Sequence, residues 1–71
     1  MQELDVRGLP PPEPFETIAH TLQTLSGQET LRVLIHREPY PLYEMLRGAG
    51  YAWRTAALQD GDFEILITHT A

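Results

Sequence analysis

The sequence predicts an α/β (α+β) two-layer sandwich ordered βαβαββ, with a four-stranded mixed sheet in strand order 1-2-4-3 and both helices on one face. Three observations predict it. Apolar residues recur at helical spacing in two segments, each begun by prolines. They alternate in steps of two in the segments between and after. An Asp-Gly pair splits the last apolar stretch into a hairpin.

The elements follow in order. "ELDV" (Glu3 to Val6) is a short strand. From Pro12 to Leu25, the residues Phe15, Ile18, Ala19, Leu22 and Leu25 form one apolar helical stripe, ended by Ser26-Gly27. "ETLRVLIH" sets Leu31, Val33 and Ile35 against Arg32, Leu34 and His36, as a strand with one buried face does. "EPYPLYEMLRGAG" starts at prolines, places Leu42, Met45, Leu46 and Ala49 on one side, and stops at Gly48 and Gly50. "YAWRTAAL" and "FEILITH" then flank "QDGD". Parallel strands require crossover helices, and right-handed crossovers put both helices on the same face. The expected core is Phe15, Ile18, Leu22, Leu25, Leu31, Val33, Ile35, Leu42, Leu46, Ile65 and Ile67.

A chain of 71 residues is expected to be a single domain over residues 1–71 that uses nearly every aliphatic side chain for its core. Hydrophobic residues make up 42% and charged residues 21%, proportions that fit a folded chain rather than a disordered one. There is no cysteine, which excludes disulfides, thiolate metal sites and persulfide chemistry on the chain itself. The start "MQELDVRG" lacks a basic, then apolar, export pattern, and no apolar run reaches spanning length, so the expected location is the cytoplasm, away from membranes. Ten acidic residues against five basic ones give a net charge of −5, which disfavours nucleic acid as a partner.

The stretch "GLPPPEP" holds four prolines in Gly8 to Pro14. A linker is not expected, because only a short strand is read before the run and no upstream domain is expected for it to connect. As a PxxP ligand it is fused to a helix start and does not freely adopt a docked polyproline conformation. A helix start suits it better, because first-turn amides have no intrahelical partner and the φ of proline is already near helical. The prolines also remove amide donors that otherwise make a helix N-terminus an anion site.

"LDVRGLPPPEP", with the βαβαββ order and the chain length, resembles the sulfur-carrier family called TusA or SirA-like. Its signature is a strand, an Arg-Gly-Leu turn, and Cys-Pro-x-Pro opening the first helix. Pro11 stands where that family has its cysteine, and Pro12, Glu13 and Pro14 match the rest. "HREPYPLYEMLRGAGYAW" resembles a cysteine-less branch, domain of unknown function 2249. In the sulfur carriers the thiolate at the helix start accepts and hands on a persulfide. Proline has no nucleophile, so the resemblance implies the scaffold and its docking surface without the sulfur chemistry.

Two sets of residues are candidates for function. If the first two strands are parallel, their C-terminal ends share an edge, where ligands of open α/β sheets bind. Arg7, His36, Arg37 and Glu38 would gather there, a cluster suited to a small anion or to acid–base work; the bland alternative is that the arginines pair with Asp5, Glu13 or Glu38 and hold the helix starts in place. The other set is Pro10, Pro11, Pro12, Glu13 and Pro14 with Tyr40, an ordered apolar surface for docking a protein partner. No cofactor and no metal site are expected: on this topology His69 lies a strand length from His36, and His20 falls on the polar side of its helix.

The uncovered sheet face carries Leu34 and Leu66, joined by Trp53 or Arg54 according to a strand register that the spacing leaves open. Such a face offers a surface for a second copy of the chain, a homodimer. Two functional classes remain, a non-catalytic interaction module and a small-anion or catalytic domain, with the interaction module favoured.

Overall fold

The computed structural model describes residues 1–70 of the expected single domain. Its elements run β1 (Gln2–Asp5), α1 (Glu13–Leu22), β2 (Leu31–Ile35), α2 (Tyr40–Ala49), β3 (Tyr51–Ala57) and β4 (Phe63–His69). The strands form one sheet in the order β1-β2-β4-β3. β1 is parallel to β2, and the other two pairs are antiparallel.

Alternation along the strands sorts their side chains. On β2, Leu31, Val33 and Ile35 turn to the helices and lie opposite Ile67, Ile65 and Phe63 of β4. They close with Ile18 and Leu22 of α1 and Leu42 and Leu46 of α2 into one core, so both helices cover the same face. Glu13 and Glu16 in the first turn of α1, with His20 in its last, complement the helix dipole. α2 ends where Gly50 adopts φ 85° and returns its N–H to the carbonyl of Leu46, a left-handed conformation that costs other residues about 1 kcal/mol or more. In the hairpin, the Asp62 N–H bonds to Asp60 Oδ1, and the Leu58 N–H to the carbonyl of Asp62.

Several expectations are corrected. α1 begins at Glu13, with Pro12 as its N-cap, and ends at Leu22. Gln23, Thr24 and Leu25 continue in a tighter turn, each bonding three residues back, which still delivers Leu25 to the core. Phe15 is 37% exposed and outside the core, whereas Val6 is fully buried within it. The buried stripe of α1 runs through Pro14, Ile18 and Leu22, and this phase turns Phe15, one residue after Pro14, to the side of the stripe. Val6 follows β1 directly, and its N–H reaches the carbonyl of Leu34 on β2, carrying the pairing one residue further into the core. Ala49, on the last turn of α2, is exposed.

The register of β3 is settled by its pairing, with Trp53 opposite Ile67 and Arg54 opposite Leu66. Trp53 therefore faces the helices. Its ring stacks on Tyr43 at 5.3 Å and 10°, and the Arg47 guanidinium lies 5.7 Å from its centre. Arg54 joins Leu34 and Leu66 on the open face. The far end of α1 is tied to the sheet: Tyr51 Oη donates to the carbonyl of Leu22 (3.3 Å), which also accepts from the Leu25 N–H, and His69 Nε2 donates to the carbonyl of Leu25 (3.2 Å).

Candidate functional site

The chain turns sharply between β1 and α1. Gly8, at φ 89°, lets the Leu9 N–H return to the carbonyl of Val6, and the proline run then climbs to the helix. The Pro11–Pro12 peptide bond is cis. Neither helix start has a side-chain cap, and each carries proline within its first two positions, Pro14 on α1 and Pro41 on α2. The two starts flank the C-terminal end of β2, and a groove of about 470 Å³ opens between them.

The groove is apolar. Rings of Pro11, Pro12 and Pro14 form one wall and those of Pro39 and Pro41 the other, with Ile18, Ile35 and Leu42 at its base and Phe15 at its side. Its polar lining is His36, Arg37 and Glu38. Proline has no amide hydrogen, and the Glu13, Tyr40 and Leu42 amides already bond to the carbonyls of Pro10, Glu38 and Pro39. The prolines and these turn bonds reduce the number of backbone donors at the site, and its side-chain polarity comes from His36, Arg37 and Glu38.

The strand-end cluster divides. Arg7 donates from Nε and Nη2 to the two oxygens of Asp5 (2.9 and 2.8 Å) and from Nη1 to Asp62 Oδ2 (3.3 Å), which turns it toward the β3–β4 hairpin. The Arg7 guanidinium and backbone N–H together hold the Asp5 carboxyl down to about 2. His36, Arg37 and Glu38 stay along the groove. Arg37 is exposed and has no carboxylate partner among the described residues. His36 Nδ1 is buried with no hydrogen-bond partner among them. Glu38 accepts from Tyr40 Oη (3.0 Å) and Tyr43 Oη (3.1 Å), one on each carboxylate oxygen.

Of the expected docking residues, Pro11 and Pro12 are exposed and line the groove; Pro14 lines it from a buried position. Pro10 and Glu13 are exposed beside it, linked by the Glu13 N–H to the carbonyl of Pro10 (3.0 Å). Tyr40, 66% exposed, stands next to the rim with its ring edge on Tyr43. Phe15, Pro39 and Pro41 were not among the expected site residues. The repeated Glu-Pro at both helix starts, Glu13-Pro14 and Glu38-Pro39, is the signal that pairs these two walls.

Tyr43 couples the corner to β3, because its hydroxyl also meets Thr55 Oγ1 at 2.7 Å. Burial, with Glu38 nearby, raises the pKa of Tyr43, and the hydrogen bond to Glu38 raises that of Tyr40. Both groups hold their protons more tightly when folded. Their contribution to stability is complete below the unfolded value near 10 and is lost as pH rises through the higher folded values. Resistance to urea unfolding is thus expected to fall above pH 10. Tyr43→Phe is expected to cost about 1 kcal/mol at pH 7 and to make the alkaline decline shallower; an unchanged decline would refute the assignment.

The open face is polar at its centre. Arg32 bridges Glu3 of β1 (3.2 Å) and Glu64 of β4 across three adjacent strands, with Leu34 and Leu66 partly covered beside it. Among the described residues no helix is long and apolar enough to cross a membrane.

Fold and corner together define a SirA-like sandwich whose first helix starts on prolines. The crystal structure of a SirA-like protein from Desulfitobacterium hafniense superposes with a TM-score of 0.86 over 100% of both chains, at 23% identity. Residues 3–69 match the family described as uncharacterized conserved protein (DUF2249), and the chain belongs to that family. No curated protein matches it.

Proposed function

We propose that this chain is a non-catalytic, cytoplasmic protein-interaction module that docks through the corner of Pro10 to Pro14 and Tyr40. The observation that carries the reading is the apolar groove between two proline-built helix starts. Its walls are ordered before any partner arrives, so docking loses little conformational entropy. No side chain lining it offers a hydroxyl, thiol or amine nucleophile. By resemblance, Pro11 occupies the place of the sulfur-carrier cysteine, leaving a surface shaped for docking without the group that reacts. The small-anion reading gains less support, because Arg7 is engaged by Asp5 and Asp62.

The test uses the immobilised chain and extract of the native host. The double variant Pro11→Ala, Phe15→Ala is expected to remain folded, melting at least about 5 °C below the parent, and to lose the captured partner, while Arg54→Ala on the open face keeps it. Equal capture by all three proteins would overturn the reading.

A further inference from the structure

We propose, resting on the docking reading above, that the occupant of the groove is a peptide segment of a partner in which an apolar side chain lies within a few residues of a carboxylate. The apolar group seats on the proline rings and Phe15, and the carboxylate pairs with Arg37.

Charge supplies the first argument. Arg7, Arg32 and Arg47 each hold an acidic side chain of this chain, as expected where acids outnumber bases ten to five. Arg37 and Arg54 hold none among the described residues, and of these two only Arg37 lines the groove, Arg54 standing on the open face of the sheet. The acid closest to Arg37 in sequence, Glu38, has both oxygens engaged by Tyr40 and Tyr43. The groove thus presents an uncommitted planar cation, a fork suited to two parallel bonds with one carboxylate.

The helix starts reinforce the choice of a side-chain cation as the anion's contact. Prolines at Pro12, Pro14, Pro39 and Pro41 remove four amide hydrogens, and turn bonds engage those of Glu13, Tyr40 and Leu42, so this corner has fewer amides for an anion than an ordinary helix start. A carboxylate carried on an apolar segment matches what is present; a free inorganic anion does not.

Shape selects a peptide over a small carboxylic acid. Small ligands bury most of their surface in a closed cavity, whereas this groove is open between the two helices and its apolar surface continues outward onto Phe15, 37% exposed, and Tyr40, 66% exposed. His36 Nδ1, the buried side-chain atom without a partner among the described residues, lies in a residue of the same wall.

The experiment pans a display library of random twelve-residue peptides on the full chain, then measures one enriched synthetic peptide by titration calorimetry. Enriched peptides are expected to place Asp or Glu within three positions of a large apolar residue. Arg37→Gln is expected to weaken binding roughly ten-fold. Changing the peptide's acid to its amide is expected to do the same, with no further loss when the two changes are combined. Arg54→Gln is expected to leave affinity unchanged, and hexanoate not to compete. Enrichment without an acid, in peptides that Phe15→Ala still weakens, would overturn the carboxylate assignment and leave the docking reading standing. Competition by hexanoate would overturn the peptide assignment. No enrichment, or peptides indifferent to both Phe15→Ala and Arg37→Gln, would overturn both.

Discussion

Leu46→Ala is expected to lower the unfolding free energy by about 3 kcal/mol. Leu46 is fully buried on the inner face of α2 and packs into the single core that joins both helices to the sheet. Truncation removes the transfer energy of the lost carbons and leaves a cavity that a small, closely packed core does not refill. A domain of this size has a total stability of only about 4 to 10 kcal/mol, so the variant should shift its urea midpoint far toward water. Phe15→Ala, on the same kind of apolar stripe but 37% exposed, is expected to cost only about 1 kcal/mol. Equal losses at the two positions, measured by urea unfolding, would contradict the placement of Phe15 outside the core.

Trp53→Ala is expected to cost about 2 to 3 kcal/mol, while the neighbouring Arg54→Ala stays within about 0.5 kcal/mol. The difference follows from the register of β3, which turns Trp53 to the helices and Arg54 to the open face. The indole stacks on Tyr43 and lies beneath Arg47, so its removal loses buried area, an aromatic pair and a cation–π contact together. Arg54 has no ion pair among the described residues to lose. Because Trp53 is the one tryptophan, unfolding should be followed by circular dichroism. A larger loss at Arg54 than at Trp53 would mean that the strand is shifted by one residue.

The candidate site was legible in part. The prolines from Pro10 to Pro14 announced an ordered helix start, because the rigidity of proline is a property of the residue itself. That Pro39 and Pro41 form the facing wall depends on β2 carrying the chain to the same end of the sheet. The gathering of Arg7 with His36, Arg37 and Glu38 was inferred from strand ends sharing an edge, which holds for the backbone. It fails for the Arg7 side chain, whose guanidinium finds Asp5 two residues away and Asp62 across the sheet. Long flexible cations follow the nearest fixed carboxylates, and the position of Asp62 is set by the hairpin.

From the sequence alone came the element order, the strand order, the proline-led helix starts and the alternation of β2 and β4, because periodicity and turn chemistry are local and each segment carries its own; where α1 ends was decided by the fold, which tightens its last turn after Leu22. The absence of cysteine was likewise decided there. Tertiary structure decided which phase of β3 faces the helices, since "YAWRTAAL" alternates without saying which face is inward until Trp53 is paired with Ile67. It decided that Val6 is core and Phe15 rim, because the pairing of Val6 with Leu34 carries β1 one residue further and the buried phase of α1 runs through Pro14, Ile18 and Leu22 beside Phe15. It also left Arg37 without a carboxylate partner among the described residues, beside an apolar groove, an outcome of where the carboxylates of those residues come to rest.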